Sequence, residues 1–241
     1  MEEVKEKDFV ELEYTGKLDD NSVFDTTDAK VAKDNNLFEQ DAEYAPIIIC
    51  VGQGQIIKGL DRALVGKETE KDYKIKVSVE EAYGKKNAKL IQLIPTNKFL
   101  KQNIQPMPGL QVNIDGMMGL IKTVSGGRTL VDFNHPLSGK ELNYDIKIKR
   151  IVKDDKEKII SILKVTIGLK DAEVKVENNK ASIETKEDLP KEIKDQIINK
   201  IKESLPGLDE ITIKKSENIV TDTSSKAQGK QEDLNTGKSD K

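Results

Sequence analysis

The chain has 241 residues, 34% of them charged, and a formal net charge of only −3. The nearly balanced charge argues against nucleic-acid binding through a basic face, and the lack of tryptophan removes the best residue for stacking on bases. No apolar run reaches the length of a membrane span, and the N-terminus lacks an apolar signal region. We therefore expect a soluble, cytoplasmic protein with no nucleic-acid partner and no membrane partner.

The cysteine and histidine content limits the possible chemistry. The single cysteine, Cys50, cannot form an intramolecular disulfide, which fits a reducing compartment and a buried structural thiol. With one histidine, the sequence has no cluster of metal ligands and no pattern of nucleophile, histidine and acid. We expect neither a metal nor a cofactor.

The N-terminal part of the chain alternates predicted strands with polar segments. Phe9–Tyr14 and Asp72–Val79 alternate apolar and polar residues, as half-buried strands do. Between them lies a polar stretch, Thr27–Tyr44, with a weak helical pattern at Ala29–Asn35. The apolar run Ile47–Val51 follows it.

The segment Val51–Gly66 predicts a short helix with one apolar face. Ile57, Leu60 and Leu64 recur at helical spacing, and Gly66 follows as a C-terminal residue able to adopt positive φ. A helix of about two turns is not stable alone, so it must pack against other structure, most plausibly a sheet. From this segment alone, an ordinary core helix remains an equal alternative. The two glycines at its start lack the third glycine of a nucleotide-binding loop.

The middle of the chain predicts a separate, small β-rich unit with its own turns. A single helical turn is predicted at Thr96–Leu100. The four predicted strands are Leu90–Ile94, Leu110–Ile114, Met117–Val124 and Arg128–Phe133. After this unit, Glu141–Val152 alternates strictly, and we assign it to the first sheet.

The C-terminal part predicts a small α+β unit. In order, the patterns indicate a helix at Glu157–Val165, strands at Ala172–Glu177 and Lys180–Thr185, an amphipathic helix at Pro190–Leu205 and a strand at Glu210–Lys214. From about Ser216 the chain is polar and holds too few apolar residues to form a core, so we expect residues 216–241 to be disordered.

Several motifs together carry a family resemblance. Tyr14, Phe24-Asp25, the segment Gly52–Leu60 and Ala82-Tyr83-Gly84 follow in the order and spacing of the FKBP family of peptidyl-prolyl isomerases. The interruption after Gly84, followed by Asp132–Lys140, resembles the SlyD branch, in which a second β domain is inserted in the flap beside the active site. The polar bulge at Asp28–Tyr44 and the extra C-terminal unit are most similar to the long archaeal FKBPs.

This resemblance implies an α+β fold: an antiparallel sheet wrapped around a short helix, with an inserted β-rich domain and a C-terminal α+β domain. The implied isomerase domain is discontinuous and comprises residues 1–85 and 132–152. The insert-in-flap chaperone domain would be residues 86–131, and the C-terminal domain residues 154–215.

The resemblance also implies the site. The implied catalytic residues are Asp25, Tyr83 and Ile57. The implied substrate-binding residues are Tyr14, Phe24, Ile47, Ile56, Leu60, Phe133 and Tyr144. Leu60 stands where many single-domain FKBPs place a tryptophan, so affinity for macrolide drugs is in doubt while activity is not.

These residue types suit prolyl isomerisation, which breaks no bond and needs no nucleophile or metal. The barrier of about 20 kcal/mol arises from amide resonance, so a dry apolar pocket and donors for the twisted amide are the useful groups. The Ile57 N–H, at the start of the short helix, can hold a substrate carbonyl. Tyr83 can donate to a carbonyl, and Asp25 can orient donors or interact with the rotating carbonyl carbon.

Each of these residues also has an ordinary interpretation. Phe24, Ile57 and Leu60 fit a plain core, Tyr83 a buried tyrosine with a satisfied hydroxyl, and Asp25 the cap of a turn. His135, between Asn134 and Pro136, fits a turn residue better than a catalytic base.

In the inserted unit, four residues predict a surface for unfolded chains, because methionine adapts to many partners. They are Leu110, Met107, Met117 and Met118. The alternative is that they fill a small core.

The leading functional interpretation is a prolyl isomerase with chaperone activity, whose partners are unfolded or proline-containing polypeptides. One alternative is a module that binds proline peptides or acts as a chaperone without catalysis. A further alternative gives the C-terminal unit the main role, in oligomerisation or partner docking.

Overall fold

The computed structural model of the protein describes residues 1–216, and the tail predicted to be disordered lies, beyond Ser216, outside the described residues. In chain order the elements are β1 (Phe9–Lys17), β2 (Val23–Thr26), α1 (Ala29–Asp34), β3 (Ile47–Cys50), α2 (Lys58–Leu64), β4 (Asp72–Val77), β5 (Ile91–Pro95), α3 (Thr96–Leu100), β6 (Gln111–Ile114), β7 (Met117–Ser125), β8 (Arg128–Asp132), β9 (Leu142–Val152), α4 (Asp155–Ile167), β10 (Glu173–Glu177), β11 (Lys180–Thr185), α5 (Lys191–Ser204) and β12 (Glu210–Lys215). This mixture of antiparallel sheets and helices confirms the predicted α+β class. None of the helices in residues 1–216 is long and apolar enough to span a membrane.

The first sheet is antiparallel and surrounds α2. Its strand order is β2-β1-β9-β4, and β3 pairs with the other end of β1. Leu60 and Leu64 of α2 are buried against the inner face of this sheet, as their spacing predicts. A Cβ on Gly59 would lie 2.5 Å from a methyl carbon of Val77, so only glycine lets α2 approach β4 this closely.

β3 is apolar at every position because both of its faces are buried. Ile47 and Ile49 point to the cluster around α2. Ile48 and Cys50 point the other way and join a second cluster with the C-terminal helices. A continuous apolar run is the pattern expected for a strand covered on both faces.

The inserted unit is a four-stranded antiparallel sheet of order β5-β8-β7-β6. One face carries a small cluster of Val112, Ile121 and Val131 under Phe99 of α3. The other face, here called the open face, has no such cover among the described residues. By strand register it presents Ile91, Leu93, Met118, Leu120 and Leu130.

Two chain segments connect the insert to the first sheet, and polar contacts join them. The Lys86 ammonium lies 2.7 Å from the Asp132 carboxylate, which also accepts two hydrogen bonds from Asn134. Asn134 in turn exchanges hydrogen bonds with the backbone of Asn87. These contacts fix how the insert leaves the first sheet.

The C-terminal unit packs α4 and α5 on a three-stranded sheet. β11 pairs with β10 in antiparallel and with β12 in parallel orientation. The cluster under these helices includes Phe9, Cys50 and Val152 of the first sheet. The predicted boundary near residue 153 therefore marks a change of sheet within a shared core.

Candidate active site

Tyr144 lies at the centre of the predicted pocket. It is on β9 between Gly16 of β1 and Ile75 of β4, and it is 5% exposed. The Phe24 ring meets the Tyr144 ring edge-on, with centroids 5.7 Å apart, and the Tyr14 ring is tilted against it at 6.1 Å. The structure thus brings Tyr14, Phe24 and Tyr144 together, as predicted, into an aromatic wall.

Gly16, which sequence reasoning missed, makes room for this wall. A Cβ at position 16 would lie 2.5 Å from the Phe24 ring, so any other residue would displace the ring. A glycine inside an otherwise regular strand pattern indicates a close approach of this kind. The predicted strand Phe9–Tyr14 stops short of Gly16, whereas β1 continues to Lys17, so the sequence pattern did not show this glycine as a strand position.

Asp25 is held at the pocket edge by Tyr14. The Tyr14 hydroxyl donates a 2.8 Å hydrogen bond to the Asp25 carboxylate. Burial raises the pKa of Tyr14 far above its ordinary value, and the Asp25 charge raises it further, so Tyr14 stays a donor. The cap interpretation of Asp25 finds no support, because Asp28 caps the next helix, accepting hydrogen bonds from the N–H groups of Lys30 and Val31.

The apolar residues before and on α2 belong to the same cluster as the aromatic wall. Leu60 is 2% exposed, while Ile47, Ile56 and Ile57 are partly buried against the same cluster. Ile57 is the N-cap residue of α2, with no side-chain cap. Its N–H has no acceptor among residues 1–216, whereas its carbonyl accepts from Asp61 at 3.0 Å. The Ile57 N–H is therefore available to a substrate carbonyl.

Asp61 is a second residue that sequence reasoning missed. It is buried, and its two carboxylate oxygens accept the N–H groups of Gly52 at 2.8 Å and Gly54 at 3.0 Å. Both glycines have positive φ, 82° and 64°. Asp61 thus fixes the loop that leads to Ile57. An acidic residue on the buried side of a short helix was the available signal.

Tyr83 closes the rim of the pocket from the segment before the insert. It is 39% exposed, which excludes the buried-tyrosine interpretation, and its ring stacks on His135 at 4.0 Å between centroids. Burial raises the pKa of Tyr144, and the nearby Tyr83 and Asp25 raise it further. His135 Nδ1 accepts the Leu137 N–H at 3.2 Å, which agrees with a turn residue.

Phe133 lies at the junction between the insert and the first sheet. Its ring packs against the insert cluster, directly over Gly119, where a Cβ would lie 2.8 Å from the ring. The resemblance placed Phe133 in the pocket wall, but the structure groups it with Val112 and Val131 of the insert. Phe133 is the first residue after β8, at the point where the chain runs from the insert sheet back to the first sheet.

The four residues predicted for the chaperone surface do not share one face. Met118 is 58% exposed on the open face, and Met107 is also exposed. Met117 is exposed at the edge of the opposite face, in register with Ile114, and Leu110 is half-buried against the insert cluster. The open face carries Met118 and also Leu93, which lies two strands away, is 54% exposed and was not predicted.

Comparison with known proteins identifies the family of the chain. Residues 1–105 match the family of FKBP-type peptidyl-prolyl cis-trans isomerases, and residues 92–137 match the family described as "FKBP26, IF domain". A short-type peptidyl-prolyl cis-trans isomerase of Methanocaldococcus jannaschii is 33% identical over 148 residues, 61% of this chain and 94% of the relative. The SlyD isomerase of Haemophilus influenzae is 26% identical over 137 residues, 55% of this chain and 71% of the relative. An FKBP-type 16 kDa isomerase of Escherichia coli is 27% identical over 155 residues, 62% of this chain and 95% of the relative. The chain therefore belongs to the FKBP-type peptidyl-prolyl cis-trans isomerases, as an enzyme of the SlyD-like kind with an insert-in-flap domain.

Proposed function

We propose that the enzyme isomerises X-Pro bonds in the pocket between Tyr144 and α2, and that the insert binds unfolded chains and passes their prolines to this pocket. The observation that carries the proposal is the unpaired Ile57 N–H beside the aromatic wall of Tyr14, Phe24 and Tyr144. It combines an apolar site for a proline ring with a donor for the neighbouring carbonyl.

The pocket lowers the barrier by removing water and by fitting the twisted amide. Water stabilises the planar, polar amide, so enclosing the proline ring between Phe24, Leu60 and Tyr144 disfavours the ground state relative to the twisted form. The Ile57 N–H holds a substrate carbonyl in place, as a fixed donor that needs no reorganisation during rotation.

Two polar groups act at the rim. The Tyr83 hydroxyl, exposed next to His135, donates to a substrate carbonyl. The Asp25 carboxylate, fixed by Tyr14, faces the rotating bond and favours the carbonyl carbon as resonance is lost. No proton is transferred in either role.

The isomerase proposal is tested with a proline tetrapeptide in a coupled assay. We expect Asp25→Ala and Tyr83→Phe each to lower kcat/KM by about tenfold, the effect of removing one hydrogen-bonding group. Tyr44→Phe is the matched control, since its hydroxyl bonds only Leu37 and Glu39 outside the pocket. A wild-type protein that binds the peptide without accelerating isomerisation would instead identify a non-catalytic binding module.

The chaperone part of the proposal rests on the open face. Exposed apolar side chains on a sheet face that is uncovered in residues 1–216 suit unfolded polypeptide, as patches of this kind mark interaction sites. The variant Leu93→Ser/Met118→Ser removes two of them. We expect refolding of an unfolded protein limited by proline isomerisation to slow by about tenfold, with tetrapeptide activity unchanged.

The matched control for this variant is Gln111→Ser/Asn113→Ser, which changes polar residues on the same face. Equal refolding rates for the wild type and Leu93→Ser/Met118→Ser would contradict the chaperone role while leaving the isomerase intact.

Oligomerisation through the C-terminal unit and a cytoplasmic location are further parts of the proposal. The buried, unpaired thiol of Cys50 supports a reducing compartment. Gel filtration of the full chain with light scattering tests the oligomeric state. A monomer at all concentrations would contradict oligomerisation through the C-terminal unit.

A further inference from the structure

The segment Val51–Ile57, here called the carbonyl loop, connects β3 to α2 without regular secondary structure. Two glycines with positive φ lie in it, so its own backbone does little to define its shape. The Ile57 N–H stands at its end. Contacts from outside the loop must therefore hold this donor in place.

The first contact comes from α2. Asp61 accepts the N–H groups of Gly52 and Gly54, as described above. A buried carboxylate with two such bonds holds the inner side of the carbonyl loop.

The second contact comes from the C-terminal unit. Lys200 of α5 donates to the Gln53 side-chain oxygen at the tip of the loop, over 3.1 Å. At the start of the loop, Cys50 packs against the C-terminal helices, and its N–H donates to Gln55 at 2.6 Å. The C-terminal unit thus touches the carbonyl loop at Gln53, four residues before the carbonyl donor.

We propose that the C-terminal unit positions the carbonyl loop of the isomerase, with Lys200 as its positioning residue and Asp61 as the corresponding residue on the inner side. The inference rests on the proposed role of the Ile57 N–H. A fixed donor is worth more in catalysis than a mobile one, because it needs no ordering when the amide twists. The C-terminal unit is then part of the isomerase and not only an appended module.

The test uses the full chain with Lys200→Met, which keeps the side-chain stem and removes the ammonium. Lys202→Met, an exposed lysine on the same helix, is the matched control. We expect Lys200→Met to lower kcat/KM on a tetrapeptide by about threefold, because the variant loses a single hydrogen bond to a neutral acceptor. We expect Lys200→Arg, which can still donate this bond, to restore kcat/KM. Amide hydrogen exchange at Gly52 and Gly54, whose N–H groups are bonded to Asp61, is expected to quicken in Lys200→Met alone.

A double-mutant cycle with Gln53→Ala separates positioning from general stability. If Lys200 acts through Gln53, Gln53→Ala/Lys200→Met loses no more kcat/KM than either single variant. The Tm of this double variant is then expected to match the Tm of Lys202→Met. Unchanged exchange, or faster exchange with unchanged kcat/KM, would overturn the inference.

Failure of the proposed role of Ile57 gives a different result. The role of the Ile57 N–H is tested on the wild type by adding a proline tetrapeptide and following the Ile57 amide resonance by NMR. A resonance that does not shift would contradict that role. A shifted resonance together with an inert Lys200→Met variant rejects only the positioning role of the C-terminal unit.

Discussion

The Tyr14 hydroxyl donates a 2.8 Å hydrogen bond to the Asp25 carboxylate across the paired strands β1 and β2. Backbone and side-chain bonds between Tyr14 and Thr27 hold the backbone next to Asp25 against β1. The bond explains how an exposed carboxylate acquires one defined orientation without being buried.

Removing the Tyr14 hydroxyl tests this orientation. We expect Tyr14→Phe to lower kcat/KM by about tenfold, since a hydrogen bond to a charged group is lost. Because Tyr14 acts through Asp25, Tyr14→Phe/Asp25→Asn should be no slower than Asp25→Asn alone. Additive losses in tetrapeptide assays would mean that Tyr14 contacts the substrate independently.

The close approach of Gly16 and Phe24 predicts a size limit. Gly16→Ala places a methyl group inside the Phe24 ring position, and overpacking of this kind costs about 1–3 kcal/mol of unfolding free energy. We expect Gly16→Ala to unfold at a lower urea concentration than the wild type. We also expect it to lose kcat/KM, because the Phe24 ring moves away from Tyr144. Gly207→Ala is the control, since an added Cβ there meets no atom within 4 Å.

Asp132 makes the stability of the insert connection depend on pH. Burial favours the protonated acid, but hydrogen bonds from Lys86 and Asn134 outweigh it and lower the pKa of Asp132 to about 2. The ionised Asp132 therefore adds about 2 kcal/mol to the free energy of unfolding. This contribution is complete above the unfolded pKa near 4 and is lost as the pH falls toward 2.

We expect Asp132→Asn to unfold more easily than the wild type at pH 7, with the difference disappearing near the folded pKa of about 2. Urea unfolding over this pH range measures it. A difference that stays constant with pH would show that the ionised carboxylate is not what stabilises the connection.

Cys50 reports on the contact between the first sheet and the C-terminal unit. Burial raises the pKa of its thiol to about 11, so at pH 8 only about one molecule in a thousand carries the reactive thiolate. We expect iodoacetamide to leave the native chain unmodified and to react once urea separates α4 and α5 from β3. Reaction at the rate of a free thiol in native buffer would contradict this burial.

Strand patterns predicted much of the fold because they are local. β1, β4 and β9 alternate in sequence as they do in the sheet, and the buried face of α2 is readable from Leu60 and Leu64. The second buried face of β3 is not readable in this way, because the cluster that covers Ile48 and Cys50 is formed by helices more than a hundred residues later.

Site residues were predictable only where a motif carries them. The resemblance located Tyr14, Phe24 and Tyr144, which the structure brings together. For Phe133 the structure shows packing against the insert cluster, and its predicted contact with substrate stays a prediction, because the neighbours of a residue at a junction depend on how two units pack. The opposite faces of Met117 and Met118 follow from strand alternation alone.

The position of β9 has a consequence for synthesis on the ribosome. This strand lies between β1 and β4, yet the chain makes it after the whole insert. Since chains emerge from the N-terminus onward, the insert sheet is complete before the first sheet can close. The pocket can therefore be assembled only after Leu142–Val152 has been synthesised, when the whole insert has already been made.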